Sequence, residues 1–170
     1  MKIMLNGYII RPLVQNDIEL ARVVEVYRQC EDFLSLGPVA TASLNMVETD
    51  LAYSRQQGGT FCVIEQTENS ELVGVVDYVN AGFEGDPELA FLSLLMIAAP
   101  YRNQGLGTSI VREVEEIIRI NDQVKAIHSG VQVNNPFGIR FWQSVGYSII
   151  SGEEPMEDGT IVFRLWKKIR

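Results

Sequence analysis

A buried strand, a glycine-containing loop and an amphipathic helix follow one another in the middle of this chain. The apolar run from Leu89 to Ala98 has little alternation, which predicts a strand buried on both faces. Two glycines lie shortly after Pro100, and the helix predicted next has one apolar face. A strand that leads through a short loop into such a helix indicates a sheet with helices packed on it.

Composition restricts the class of protein. The chain has 170 residues, 46% of them hydrophobic, which fits a single domain over 1–170. Fourteen basic and twenty-two acidic residues give a net charge of −8, which argues against nucleic acid as a partner. Cys30 and Cys62 show no metal-ligand spacing, so we expect buried, reduced thiols and no metal. Neither a signal peptide nor eighteen consecutive apolar residues are present, which predicts a cytoplasmic protein without membrane association.

The spacing of apolar residues predicts the remaining elements. Further strands are predicted over 8–13, 60–65, 71–79, 125–133, 148–151 and 160–166, the last two joined by an acidic turn over 153–159. Helices are predicted from the Asn16-Asp17 cap to Gly37-Pro38, from Leu44 to Gly58-Gly59, after Pro100, and from Pro136 to Gly146. Strands that follow one another in pairs favour a mostly antiparallel sheet. The segment 89–133 would form one right-handed parallel crossover.

The loop before the central helix has the features of a phosphate site. Backbone N–H groups at a helix start lack partners, and glycine lets an anion approach them. A nucleotide-binding P-loop is excluded, because no Gly-Lys-Ser/Thr follows at the required spacing. A dinucleotide fingerprint is disfavoured, because Ile110 stands where its third glycine belongs. A tight turn whose glycines only permit close packing remains open.

Two motifs together resemble the GNAT superfamily, the acyl-CoA-dependent N-acyltransferases. Arg102-x-x-Gly105-x-Gly107 is similar to the pyrophosphate-binding signature of that family, and the segment 135–147 is similar to its Asn-x-x-Ala-x-x-Phe-Tyr-x-x-x-Gly-Phe segment. The resemblance covers about 8–168. It implies an α+β fold of one GNAT-like domain, with a mixed, mostly antiparallel sheet, a central parallel pair and helices on both faces. It also implies a possible homodimer.

The resemblance places acetyl-CoA between two strands that splay apart, one ending at Ala98 and the other at Asn135. It implies that the backbone of Met96 and Ile97 pairs with the pantetheine arm, and that the Ile97 amide polarises the thioester carbonyl. Asn135 would touch the pantetheine side, and Phe141 or Trp142 the region near the thioester. The residues implied around the pyrophosphate are Arg102, Asn103, Gln104, Gly105, Leu106, Gly107 and Thr108.

The same resemblance implies direct acetyl transfer to an amine, with a small molecule favoured over a protein N-terminus or lysine. The frequent general acid of the family is a Tyr where this chain has Trp142, and an indole N–H does not serve as that acid. Tyr147 is a substitute, or else a core aromatic.

The sequence also leaves the identity of the general base open. The family often places a Glu on the long strand, where Phe91 and Ser93 occupy much of the expected region. Glu88 is the first candidate base, and Asp77 the second, because a buried Asp must face the cleft or find a partner. The alternative function is a non-catalytic acyl-CoA-binding or interaction module on the same fold. His128, the single histidine, is expected to be structural or on the surface.

Overall fold

The structure of this chain is a computed structural model that describes residues 2–170. The strands are β1 (Ile3–Leu5), β2 (Tyr8–Pro12), β3 (Thr60–Gln66), β4 (Leu72–Val79), β5 (Leu89–Ile97), β6 (Ala126–Gln132), β7 (Ser148–Pro155) and β8 (Ile161–Lys168). The helices are α1 (Asp17–Arg28), α2 (Glu31–Leu34), α3 (Leu44–Gln56), α4 (Leu106–Arg119) and α5 (Pro136–Ser144).

All eight strands belong to one sheet, in the order β1-β2-β3-β4-β5-β6-β8-β7. Every neighbouring pair is antiparallel except β5 and β6, which run parallel and are connected through α4. The parallel pair lies inside the sheet, because β1 to β4 continue beyond β5 on one side and β8 and β7 continue beyond β6 on the other. The predicted mixed sheet with a central parallel pair is therefore confirmed.

The two faces of the sheet carry different helices. The apolar stripe of α4 is fully buried and packs, with α5, on one face; its buried members are Ile110, Val111, Val114 and Ile118. Helices α1 and α3 cover the other face, where their residues join a second core cluster with β3, β4 and β5. Because side chains alternate along a strand, neighbouring strand residues belong to different clusters: Cys62 and Val76 to the first, Val63 and Val75 to the second.

Three boundaries differ from the prediction. The first predicted helix divides into α1 and α2, because the chain at its break is bonded to the end of β5: Ala99 N–H donates to Gln29 O, and Cys30 Sγ donates to Ile97 O. An extra strand, β1, pairs with β2 through a turn in which Gly7 has a φ of 78°. Strand β7 also continues to Pro155, so the first three residues of the predicted acidic turn, 153–155, are strand.

Within residues 2–170, no helix combines the length and the apolar composition that a membrane span needs.

Candidate active site

Strands β5 and β6 separate halfway along β5. Their pairing ends at Leu92 and Ser129, whereas β4 pairs with β5 as far as Ile97. A bulge at Ser93 shifts the register against β4 at the same level. Leu92 is 0% exposed, but the next three residues of β5 are only half-buried. The parallel pair therefore opens into a gap whose closed end lies at Leu92 and Ser129.

Alternate residues of β5 direct their backbone N–H and C=O groups into this gap. Ala98 N–H donates to Val73 O over 2.8 Å, so the polar groups of Ala98 and Met96 face β4. Those of Leu95 and Ile97 consequently face the gap. Of the two residues predicted to pair with pantetheine, Ile97 presents its N–H to the gap and Met96 does not. The Met96 side chain is buried in the core under α1 and α3.

The Arg102 side chain turns away from the start of α4. Its Nε donates to Ile97 O over 2.7 Å, and its Nη2 donates to Asp32 Oδ1 over 3.0 Å. The hydrogen bond from Arg102 lowers the pKa of the Asp32 carboxyl, and Asp32 raises the pKa of the guanidinium. Arg102 thus connects the end of β5 to α2 rather than pointing to the predicted pyrophosphate position.

The loop leading into α4 leaves the helix start uncapped. Gly105 is the N-cap, with a φ of 79°, and no side chain caps the helix. Asn103 also has a left-handed backbone, with a φ of 59°. The first hydrogen bond of the helix runs from Ser109 N–H to Gly105 O, so the preceding N–H groups point out of the helix, where the helix dipole favours an anion.

The two glycines of this loop have different roles. A Cβ on Gly105 would meet no atom within 4 Å, so this position is open. A Cβ on Gly107 would lie 3.2 Å from both Ile97 Cδ1 and the Phe141 ring. Gly107 therefore permits the close packing of α4 against β5 and α5, which is the packing alternative left open for the loop, and Gly105 leaves the helix start accessible.

The predicted residues at α5 have three different surroundings: the helix cap, the core and the edge of the gap. Asn135 Oδ1 accepts the Gly138 N–H over 2.8 Å and caps the helix. Trp142 is buried edge-on between the rings of Phe141 and Tyr147, with centroids 5.4 and 4.9 Å away. Phe141 is half-buried and adjoins Gly107, so it is the aromatic residue beside the gap.

Tyr147 is placed as a core aromatic. It is 2% exposed, and burial raises the pKa of its hydroxyl. Lys167 Nζ lies 5.5 Å from its ring and binds Glu115 on the α4 side of the sheet. Tyr147 thus packs between the Trp142 ring and the Lys167–Glu115 ion pair.

Asp77 lies at the closed end of the gap. It is 3% exposed, and its carboxylate accepts Ser54 Oγ over 2.6 Å and Ser93 Oγ over 2.5 Å. In the part of the chain that the structure describes, no Lys or Arg forms an ion pair with it. Sequence reasoning did not find the two serines as its partners. The sequence does offer a sign of one of them, because Ser54 stands on the apolar face of a predicted helix, and the neighbouring strand has one Asp.

Glu88 lies at the other end of β5. Its carboxylate binds Lys125, and β5 begins at the following residue. With about 3.3 Å per strand residue, roughly 30 Å separate it from Ile97. The structure does not bring the first candidate base to the gap.

A partly buried carboxylate that the sequence prediction did not include, Asp50, lies on α3. Tyr27 Oη donates to Asp50 Oδ2 over 2.7 Å, and burial raises the pKa of Asp50. Asp77 raises the pKa of Asp50 further. Among residues 2–170, no group of three or more His, Cys, Asp or Glu side chains could hold a metal ion.

Comparisons with known proteins agree with this geometry. The model of the Acetyltransferase (GNAT) family matches residues 22–147. No curated protein sequence matches this chain.

Solved structures share the fold at low identity. An acetyltransferase from Thermus thermophilus is 19% identical, with a TM-score of 0.73, and the match covers 98% of this chain and 100% of that one. The aminoglycoside acetyltransferase AAC(6')-Ib, in complex with coenzyme A, is 21% identical, with a TM-score of 0.71 and 94% of each chain covered. Spermidine N-acetyltransferase from Vibrio cholerae, in complex with CoA and spermine, is 14% identical, with a TM-score of 0.68 and 95% of each chain covered.

Proposed function

Because this chain belongs to the GNAT family of acetyltransferases, we propose that it transfers the acetyl group of acetyl-CoA directly to a primary amine of a small molecule. The gap between β5 and β6, next to the uncapped start of α4, carries the proposal. The aminoglycoside and spermidine enzymes among the similar structures are consistent with a small amine.

Acetyl-CoA fits the gap as an added strand. The N–H of Ile97, which faces the gap, would donate to an amide oxygen of the pantetheine arm, whereas the Ile97 carbonyl already accepts Arg102 Nε and Cys30 Sγ. Its pyrophosphate would accept the N–H groups of 103–108 at the start of α4. The N–H of Leu95, which also faces the gap and lies closer to Ser93, is then available to the thioester oxygen, where negative charge develops during attack, in place of the Ile97 amide that the resemblance implies. Arg102 helps by holding the Ile97 carbonyl and with it the end of β5.

Asp77 and Ser93 supply the proton acceptor. The acceptor amine arrives protonated, since its pKa is about 10, and must lose one proton to attack. Ser93 Oγ is at the edge of the gap and donates to Asp77, so a proton taken by Ser93 can be passed to that carboxylate. The neutral nitrogen then bonds to the acetyl carbon, the C–S bond breaks with its electron pair going to sulfur, and the amide nitrogen releases its second proton. The balanced reaction converts the ammonium and acetyl-CoA into the N-acetylamine, CoA thiol and one proton.

The leaving group needs little help. A thiol has a pKa of about 8.5, so CoA can depart as a thiolate without a protein acid. Tyr147 and Trp142, both in the core, take no part in this scheme. The alternative function, an acyl-CoA-binding module without catalysis, is favoured by Trp142, because the family's acid position then holds no ionisable group.

Calorimetry on variants with substitutions at the start of α4 tests acetyl-CoA binding. Gln104 is exposed and donates to Pro100 O over 3.0 Å. Gln104→Glu adds a carboxylate that competes with the phosphates for the free N–H groups, so we expect about tenfold weaker binding. Gln104→Met loses the same hydrogen bond without adding charge and serves as the control. Equal affinity of the two variants would contradict the phosphate assignment.

Catalysis is tested by measuring thiol release from acetyl-CoA over a panel of polyamines, aminoglycosides, amino acids and N-terminal peptides. Turnover with a small amine is expected. Acetyl-CoA binding without turnover on any member would favour the binding module.

A further inference from the structure

A central strand of the sheet has an open position. Strand β6 lies between β5 and β8, and its buried residues surround Gly130, which is exposed. A Cβ on Gly130 would meet no atom within 4 Å. Its φ is outside the left-handed region, so the backbone does not require glycine here. A glycine in a strand interior often marks a bulge, a bend or a place where another molecule approaches closely, and β6 pairs with β8 in an unbroken register through Gly130.

Two polar side chains flank this opening. His128 and Gln132 lie two residues to either side of Gly130, on the same face of β6. His128 is 9% exposed, and its Nδ1 is buried without a hydrogen-bond partner; the same holds for Gln132 Oε1. Buried polar atoms in native proteins are normally hydrogen-bonded. We call His128, Gly130 and Gln132 the Gly130 strip.

The walls around the Gly130 strip carry polar groups on two sides, and the Phe83 ring, which stacks on Phe91, lies 6.1 Å from the His128 ring at one end. On one side, the loop after α2 approaches it: Asn134 Nδ2 donates to Leu36 O over 3.0 Å. On the other side, Arg164 of β8 pairs with Gly130 and binds Glu84 and Glu154. Two carboxylates therefore share one guanidinium, which leaves the wall with a net negative charge.

The Gly130 strip continues into the closed end of the gap. His128 is the β6 partner of Phe91 on β5, one position before the strands separate. Phe91, its β4 partner Val79 and Asp77 lie on one face, because paired residues share a face and residues two apart do too. Ser93, bonded to Asp77, thus stands beside the end of the strip.

We propose that the Gly130 strip binds the body of the acceptor, and that the acceptor is a small molecule with several amino or hydroxyl groups. This inference rests on the proposed acetyl transfer at Ser93 and Asp77. Gln132 Oε1 only accepts hydrogen bonds, and the surrounding carboxylates favour cations. A polyamine and an amino sugar both supply N–H and O–H donors at a distance from the reacting amine. An amine with an adjacent carboxylate is disfavoured by the same groups.

Substitution of the open glycine tests this directly. Gly130→Val fills the space above the strip, and we expect the KM of the preferred amine to rise at least about tenfold, with a smaller rise for Gly130→Ala. Acetyl-CoA affinity should stay the same in both. Gly152→Val is the matched control, because Gly152 is also open and lies outside the left-handed region, but on the edge strand β7. An unchanged KM in Gly130→Val would overturn the assignment.

The single histidine gives a readout that does not depend on activity. Spermidine, kanamycin and alanine are titrated into the CoA-saturated protein while the imidazole NMR signals of His128 are recorded. Spermidine or kanamycin should shift these signals, alanine should not, and Gly130→Val should abolish the shift. Which of the two shifts them separates a linear polyamine from an amino sugar. No shift with either overturns the inference, whereas a shift without thiol release overturns the proposed transfer and leaves the binding strip in place.

Discussion

The two halves of β5 have similar sequences and different surroundings. Leu89–Leu92 pair with β6, and Phe91 and Leu92 pair with β4 as well, whereas residues 94–97 pair with β4 alone. Both halves are rich in large apolar residues. In the first half Ala90 and Leu92 are fully buried, and in the second half Leu94 and Leu95 are partly exposed. A continuous apolar run is thus core in one half and the wall of a gap in the other.

The difference begins at one residue. Ser93 forms the bulge against β4, and its hydroxyl donates to the Asp77 carboxylate and to the Asp77 carbonyl. Bulges redirect side chains and interrupt pairing. Here the bulge coincides with the last pairing of β5 to β6, so the opening of the sheet and the presentation of a buried carboxylate occur at the same place.

The largest expected effect is a difference in the loss of stability between substitutions in the two halves of β5. Leu92→Ala removes a fully buried side chain and should reduce the free energy of unfolding by about 2–5 kcal/mol. Leu94→Ala removes a partly exposed one beside the gap and should cost about 1 kcal/mol. Urea unfolding of both variants measures the difference. Equal losses would contradict the assignment of different environments to the two halves.

The next effect concerns the bulge. Asp77→Asn should lower kcat/KM for the amine by about 100-fold, and Ser93→Ala by about tenfold, because proton transfer to the carboxylate is lost or impeded. Steady-state thiol release measures both. Acetyl-CoA affinity should remain, since neither side chain contacts the start of α4.

Ser54→Ala is the matched control for the bulge. It also removes one hydroxyl donor from Asp77, but from the α3 side and away from the gap. We expect it to destabilise the fold by about 1 kcal/mol with a much smaller change in kcat. If Ser54→Ala and Ser93→Ala reduced kcat equally, the relay through Ser93 would be wrong and both serines would only support Asp77.

The smallest effect is expected at His128 of β6, the residue that pairs with Phe91 in the first half of β5. Burial lowers the pKa of its imidazole below the usual 6.5, with Arg164 contributing and Glu84 and Asp86 opposing. Protonation therefore favours the unfolded chain, and the free energy of unfolding should decrease as the pH falls from about 6.5 toward the lower folded pKa. An NMR titration of the single histidine measures that pKa. A value above 6.5 would show that the carboxylates outweigh burial.

The fold could be predicted well from the sequence. The mixed sheet, its parallel crossover and the family are confirmed, because each depends on local periodicity or on motifs of a few neighbouring residues. The division of α1 from α2 was missed, because it depends on bonds from Gln29 and Cys30 to the end of β5. Such bonds join residues about 70 positions apart and leave no periodic signal.

The candidate site was predicted only in part. The start of α4 could be located because a glycine loop between a strand and a helix is a local pattern. The sequence does not show which end of β5 opens, so it could not decide whether Glu88 or Asp77 is the base. In the structure Asp77 lies at the gap and Glu88 lies at the other end of β5. The motif assigned Arg102 and Gly107 to phosphate, yet their contacts are with the end of β5, with α2 and with α5.

The sequence by itself determined that the chain would form a sheet covered by helices, with a glycine loop leading into the start of the central helix, because side-chain periodicity and short motifs are local properties. Only the tertiary structure decided where the parallel strands separate and which carboxylate meets the opening. Strand register, the bulge at Ser93 and the space above Gly130 result from packing between segments distant in sequence. Those contacts place Asp77 and Gly130 where the proposed acceptor would bind, so the proposal about the acceptor depends on these two residues.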